Sequence, residues 1–199
     1  MKNTLLKQKI IGLCINGDYS IADLSKELNT SIPTTTKLVE ELIAEGSIEE
    51  MGKLDTNGGR RPSIYGLRAT AGYFVGTDVR RNSVSIAICD FKGHVVEYLD
   101  NLDFTVESSK ASFVNLCNLI IKHLSKCGID RHSVKAYGFN LSGRVNNETG
   151  YCFSYFIGED RPIASLLEEE LKAPVYIEND SRAMTYGEYI CGVANNEKQ

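Results

Sequence analysis

The spacing of apolar residues changes at Gly46, and this change limits the fold more than any other feature. Before Gly46 apolar side chains recur every three or four residues, the spacing of a helix face; just after it they alternate or gather in short runs, as in strands. Leu6, Ile10, Leu13 and Cys14 make the stripe of a first helix, which Asn16-Gly17-Asp18 ends. Ser20 offers its oxygen to the free amides of a short second helix carrying Ala22, Leu24 and Leu28. Asn29-Thr30-Ser31 is a turn, Ser31 caps a third helix, and Pro33 falls in its first turn, where a missing amide hydrogen is harmless. That helix is predicted to run to Glu45 and stop at Gly46. Two short strands, Ser47 to Lys53 and Ser63 to Leu67, follow, joined by a flexible basic tip, Asn57-Gly58-Gly59-Arg60-Arg61-Pro62. Helix, helix, turn, helix, hairpin is the order of a winged helix-turn-helix.

From Tyr73 the pattern predicts strands at 73–79, 84–89 and 94–101, then a helix carrying Phe113, Leu116, Cys117, Ile120, Ile121 and Leu124. A strand at 134–140, a loop rich in Gly and Asn at 142–150, a helix at 163–171, a buried strand at 174–178 and a helix at 181–191 complete it. The polar tail 195–199 reads as a linker. Three strands followed by alternating helix and strand is the order of an RNase-H-like lobe. The expected class is therefore α/β (α+β overall), with a winged helix-turn-helix at 1–70 and one actin-like or RNase-H-like lobe at 71–199.

Charge narrows the partners. The net charge of −4 lies wholly in the second part, because residues 1–70 hold nine Lys/Arg and nine Asp/Glu. Adhesion to nucleic acid through bulk charge needs a basic face, so any DNA contact falls to a few placed residues. The longest apolar runs, such as Ser85 to Cys89, are too short to span a bilayer, and Met1-Lys2-Asn3-Thr4 opens no signal peptide. A cytoplasmic protein with no membrane partner is expected. The six cysteines form no Cys-x-x-Cys pair, and His94, His123 and His132 supply no zinc spacing, so neither a metal nor another cofactor is expected here. The thiols are expected to be reduced and mostly buried.

In the third helix Thr35, Leu38, Val39 and Leu42 share one face and are expected to pack inward. Thr34, Thr36 and Lys37 remain near the N-terminus, with hydroxyls and an ammonium suited to phosphates and base edges. Glu40, Glu41 and Glu45 crowd the other end, where they would repel phosphates, so the N-terminal end is the one tipped toward a major groove. Arg60 and Arg61, at a glycine-flanked tip, suit the negative potential of a minor groove. A three-helix module can instead bind another protein, and two arginines on a tip can simply be solvated.

The run Gly58-Gly59-Arg60-Arg61-Pro62 after a winged helix, with Gly76-Thr77-Asp78 on the next strand, resembles the ROK family (repressors, open reading frames and sugar kinases). Gly138-Phe139-Asn140-Leu141-Ser142-Gly143 resembles the family's Gly-x-x-x-Pro-Gly loop, and Pro174 to Asp180, leading into Gly187-Glu188, resembles its Glu-Asn-Asp motif. The resemblance implies a repressor of sugar-utilisation genes, not an enzyme, that binds a double-stranded DNA operator and is relieved by a sugar or sugar phosphate. Asn179, Asp180 and Gly143 would then contact the sugar. On the residues alone, Asp180 reads first as the N-cap of the helix that follows.

Two departures separate the branches of the family. ROK kinases carry Asp-x-Gly-Gly-Thr where this chain has Asp78-Val79-Arg80-Arg81-Asn82, and the two arginines occupy positions where bare backbone approaches ATP. Ser142 stands where the family loop has proline. A sugar kinase with a fused DNA-binding domain is the competing reading. Family members continue into a second lobe with a zinc-binding Cys-x-Cys-Gly segment, so the sequence is expected to be the amino-terminal part of such a repressor. A homodimer or higher homo-oligomer is expected of the full-length form.

Overall fold

The computed structural model describes residues 2–54, 61–107, 109–154 and 160–192. They fall into two compact units, Met1–Ala71 and Gly72–Gln199. The first holds α1 (Lys2–Cys14), β1 (Tyr19–Ser20), α2 (Ile21–Leu28), α3 (Ile32–Ala44), β2 (Ile48–Lys53) and β3 (Ser63–Leu67).

Local chemistry explains its boundaries. Ser20 and Asp23 form a reciprocal capping box at the start of α2, each side chain satisfying the other's backbone amide. Asn29 then closes α2 in the left-handed region, at φ 50° and ψ 50°. Ser31 caps α3 by accepting from the Thr34 amide. At the far end of α3, Gly46 takes φ +74°, its amide donates to Ile43 O, and the Ser47 amide donates to Leu42 O. That pair of bonds is the Schellman arrangement, and only the residue after the cap needs positive φ.

α3 buries Thr35, Leu38, Val39 and Leu42, the face its spacing predicts. These join Ile10, Cys14, Leu24, Ile48 and Leu67 in the core of the unit. Ala22 is exposed instead of packing beside Leu24, because two positions along a helix is a turn of about 200°. β2 and β3 pair antiparallel with a bulge between Glu50 and Gly52, and the two-residue β1 adds to the far side of β3, giving the order β1-β3-β2.

The second unit holds β4 (Tyr73–Val79), β5 (Ser83–Asp90), β6 (Val95–Asp103), α4 (Lys110–Lys126), β7 (Val134–Leu141), β8 (Val145–Asn146), β9 (Tyr151–Cys152), α5 (Ile163–Leu171), β10 (Val175–Asn179) and α6 (Asp180–Cys191). Its five-stranded sheet has the order β10-β7-β4-β5-β6. β4-β5-β6 is an antiparallel meander, while β7 and β10 join in parallel, as in the RNase-H-like lobe. Val75, Val79, Ile86, Ile88, Tyr137, Phe139, Leu141, Val175 and Ile177 turn one face of the sheet into the core, with Phe113, Leu116, Cys117, Ile120 and Leu124 of α4 and Leu167 and Leu171 of α5. No residue of α6 is buried.

All six cysteines are free thiols, but only Cys14 and Cys117 are buried, fewer than expected, and Cys191 is exposed. Burial pushes the Cys14 thiol up to about 11 and Cys117 up to about 12, so both are poor nucleophiles. Among the described residues no helix is long and apolar enough to cross a membrane.

Candidate nucleic-acid interface and sugar corner

The surface of the first unit is set by what α3 leaves outside. Thr34 and Lys37 are exposed and Thr36 is half-buried. Thr34 Oγ1 lies 2.8 Å from Ser31 Oγ, and Thr36 Oγ1 donates to Ile32 O at 2.9 Å. Thr36 therefore spends its hydrogen within the helix and presents acceptor lone pairs, which suit a base amino group better than a phosphate.

Lys7 of α1 reaches across to α3 and grips both Glu41 (2.8 Å) and Glu45 (2.5 Å). Two of the three carboxylates at the acidic end of α3 are thus compensated, and Glu40 alone stands exposed among them without this cation. The hydrogen bond from Lys7 holds the Glu41 carboxyl below its ordinary range, and the bonds to Glu41 and then Glu45 raise the Lys7 ammonium above its own.

A groove of about 720 Å³ lies within this unit, bounded by Ser20, Ile21 and Ala22 at the start of α2, Ile32 and Thr36 of α3, and Lys53, Arg61, Pro62, Ser63 and Tyr65 of the hairpin. It brings Thr36 and Arg61 around one concavity and adds Lys53, which the sequence did not single out. Thr34 and Lys37 do not line it. Arg60 lies outside the described residues.

In the second unit the three residues expected to hold a sugar meet where β7 and β10 end. Asn179, not Asp180, caps α6: its Oδ1 accepts from the Arg182 amide at 3.1 Å. Its Nδ2 donates to Gly143 O at 2.8 Å and to Asp180 Oδ1 at 3.0 Å. Asp180 Oδ1 also accepts from the amide and hydroxyl of Ser181, and a hydrogen bond from Ser142 holds the Asp180 carboxyl below its ordinary range. Ser142 thus contributes a hydroxyl that proline could not. Gly143 adopts φ +98°, and a Cβ there would lie 2.1 Å from Ser154 Oγ, so only glycine fits.

Further bonds tie the β8–β9 hairpin to this corner. Arg182 donates to Val145 O at 3.1 Å and pairs with Glu178 at 2.6 Å, and Asn147 Nδ2 donates to Glu178 Oε2 at 2.7 Å. Arg144 lies 5.5 Å above the Phe153 ring. Gly143, Arg144, Val145, Phe153, Asn179 and Arg182 enclose an open cavity of about 420 Å³. It offers an amide, guanidinium groups and an aromatic face, the mixture a polyhydroxyl ligand uses, although Asp180 is not among the residues that line it. Arg144, Phe153 and Arg182 carry no local motif and were not anticipated.

At the β4–β5 turn Arg80 folds back on Asp78, with Nε at 2.9 Å and a terminal nitrogen at 2.8 Å from Oδ2. The carbonyls of Arg81 and Asn82 accept from Val106 and Phe104. The turn is occupied by an internal ion pair where a phosphate cradle needs open amides. The described residues hold no group of three His, Cys, Asp or Glu able to bind a metal.

No protein-family model matches the sequence. The chain is 27% identical over 194 residues to a protein named Xylose repressor from Caldicellulosiruptor bescii, covering 94% of this chain and 48% of that protein. The crystal structure of a ROK family transcriptional regulator, a homologue of the E. coli MLC protein, superposes with a TM-score of 0.66 and 21% identity over 87% of this chain and 44% of the other. The chain is similar to ROK-family proteins in sequence and fold over most of its length. A protein named Glucokinase from Halalkalibacterium halodurans is 25% identical over 128 residues, covering 63% of this chain and 39% of that protein. The chain spans about half the length of the curated repressor it matches.

Proposed function

We propose that this chain is part of a DNA-binding transcriptional repressor of the ROK family that controls sugar-utilisation genes and is relieved by a sugar or sugar phosphate. In this reading residues 1–70 are the DNA-binding domain and 71–199 the first lobe of the effector-binding part. The observation that carries it is the coverage: the similarity to the Xylose repressor runs through head and lobe together, over 94% of the chain. The similarity to Glucokinase covers 63%.

Thr34, Thr36 and Lys37 contact the major groove, and Arg60 and Arg61 contact a minor groove. Asn179 and Gly143 form one wall of the sugar cavity, while Asp180, hydrogen-bonded by Ser142, orients them and accepts from sugar hydroxyls. Since the corner also caps α6 and anchors the β8–β9 hairpin, occupying it shifts both, and the effect of sugar on DNA affinity equals that of DNA on sugar affinity. The Asp78–Arg80 pair supports a protein that does not transfer phosphoryl groups, against the kinase alternative. The residues described do not make a zinc site, which in this reading belongs to the second lobe of the family, and homo-oligomerisation belongs to the full-length form.

The test is selection of bound fragments from a random DNA pool, followed by binding to the enriched sequence with and without D-xylose and other sugars. An enriched motif is expected. An unenriched pool, together with ATP-dependent phosphorylation of a sugar that Asp180→Asn abolishes, would replace the repressor with the kinase.

A further inference from the structure

Ile32 is the first residue of α3, and 56% of its surface is exposed. Neither packing nor local propensity explains it. The core of its unit is complete without it, and a β-branched residue is a poorer helix former than alanine or leucine. The hydrophobic staple that often supports a helix start uses the residue before the cap, which here is Thr30. Ile32 instead borders the groove between α3 and the hairpin, with Ala22, Thr36, Lys53 and Arg61 around it.

Resting on the DNA-binding reading of this unit, we propose that Ile32 is a specificity residue that reads thymine, packing its exposed side chain on the C5 methyl group in the major groove. The first residues of a recognition helix are those that reach base edges. Thymine is the base that presents a methyl group there, and apolar side chains recognise it by contact. The neighbouring polar group reinforces the choice. The Thr36 hydroxyl, one turn on, already gives its hydrogen to the Ile32 carbonyl, so it does not donate to a base beside Ile32. Lys53 across the groove supplies a cation for an adjoining phosphate, leaving the apolar contact to discriminate.

The experiment uses the full chain and the motif enriched from the random pool, with each thymine replaced singly by deoxyuridine, which removes only the C5 methyl. Fluorescence anisotropy of the wild-type chain is expected to show weakening of about fourfold, the effect of one unburied methyl group, at one thymine of each half-site. Ile32→Ala is expected to bind the thymine and deoxyuridine forms of that site equally, and Ile32→Val to keep the discrimination. Because Ile32 is exposed, both variants should melt with the wild type, which circular dichroism checks. Equal sensitivity to deoxyuridine in wild type and Ile32→Ala, or none in either, overturns the inference while leaving DNA binding intact. Failure of the wild-type chain to enrich any motif overturns the underlying reading, and is visible before deoxyuridine is introduced.

Discussion

Replacing Asn179 by alanine should unfasten α6 without disturbing the sheet it follows. The helix has 12 residues and buries none of them, so it lacks the burial that holds most protein helices together. Asn179 makes three of the bonds that hold its start, beside those of Asp180 and Arg182. Asn179 Oδ1 caps the Arg182 amide, and Nδ2 binds the Gly143 carbonyl and the Asp180 carboxylate. Loss of the cap costs about 1 kcal/mol. The two amide bonds, both near solvent, add about 1 kcal/mol together. A total near 2 kcal/mol raises the local opening constant about 30-fold. Hydrogen exchange followed by mass spectrometry reads this directly. Amides of α6 should exchange roughly thirty times faster in Asn179→Ala, while those of β4, β5 and β7 stay at wild-type rates. Asn179→Ser keeps a capping oxygen but cannot reach Gly143, so about half of the effect should remain. Equal acceleration in α6 and in the sheet, or no change in α6, would refute the claim that Asn179 is the main fastening of this corner.

Three further outcomes follow from the same contacts. Lys37→Ala should weaken operator binding several-fold and lower the salt dependence by about one phosphate contact, whereas Lys110→Ala on α4 should do neither; equal losses would displace α3 from the DNA. Tyr137→Phe should raise the urea midpoint, because the buried Tyr137 hydroxyl has no hydrogen-bond partner among the described residues and relief is worth about 1 kcal/mol; a clear destabilisation would reveal a partner for it. The Glu41 carboxyl is held below its ordinary value of 4.5 by Lys7, so its contribution is complete above that pH and is lost as pH falls through the lower folded value. Thermal melts between pH 6 and pH 3 should therefore show a larger loss for the wild type than for Lys7→Met, and parallel losses would show the ion pair to be idle.

What could be read in advance was whatever repeats with a fixed period. The inward face of α3 followed from the 3.6-residue turn, and β4, β5 and β7 from runs of β-branched and aromatic residues. β1 and β8–β9 were missed because two residues are too few to show alternation; β1 exists because β3 offers it an edge. The cap of α6 was placed one residue late because Asn179 is both the last residue of β10 and the first acceptor of the helix, and the sequence does not show where one ladder passes to the other. Arg182 to Val145 and Lys7 to Glu41 join residues far apart in sequence, so no local pattern announces them. The hydrogen bonds that occupy the Thr34 and Thr36 hydroxyls are local, yet they depend on side-chain rotamers that composition does not encode.

The topology of the sheet also sets an order of events during synthesis. The first unit closes its helices and hairpin from neighbouring stretches, and can fold as soon as β3 has emerged. The meander β4-β5-β6 forms next, but Tyr73 pairs with Val134, and Val79 with Leu141, so β4 waits for α4 and β7 before its other side is covered. Until then the nascent chain carries an open strand edge bearing Val75 and Val79, available to any neighbouring chain. Slowing translation between β6 and β7 should therefore increase aggregation, whereas a pause after β7 should not.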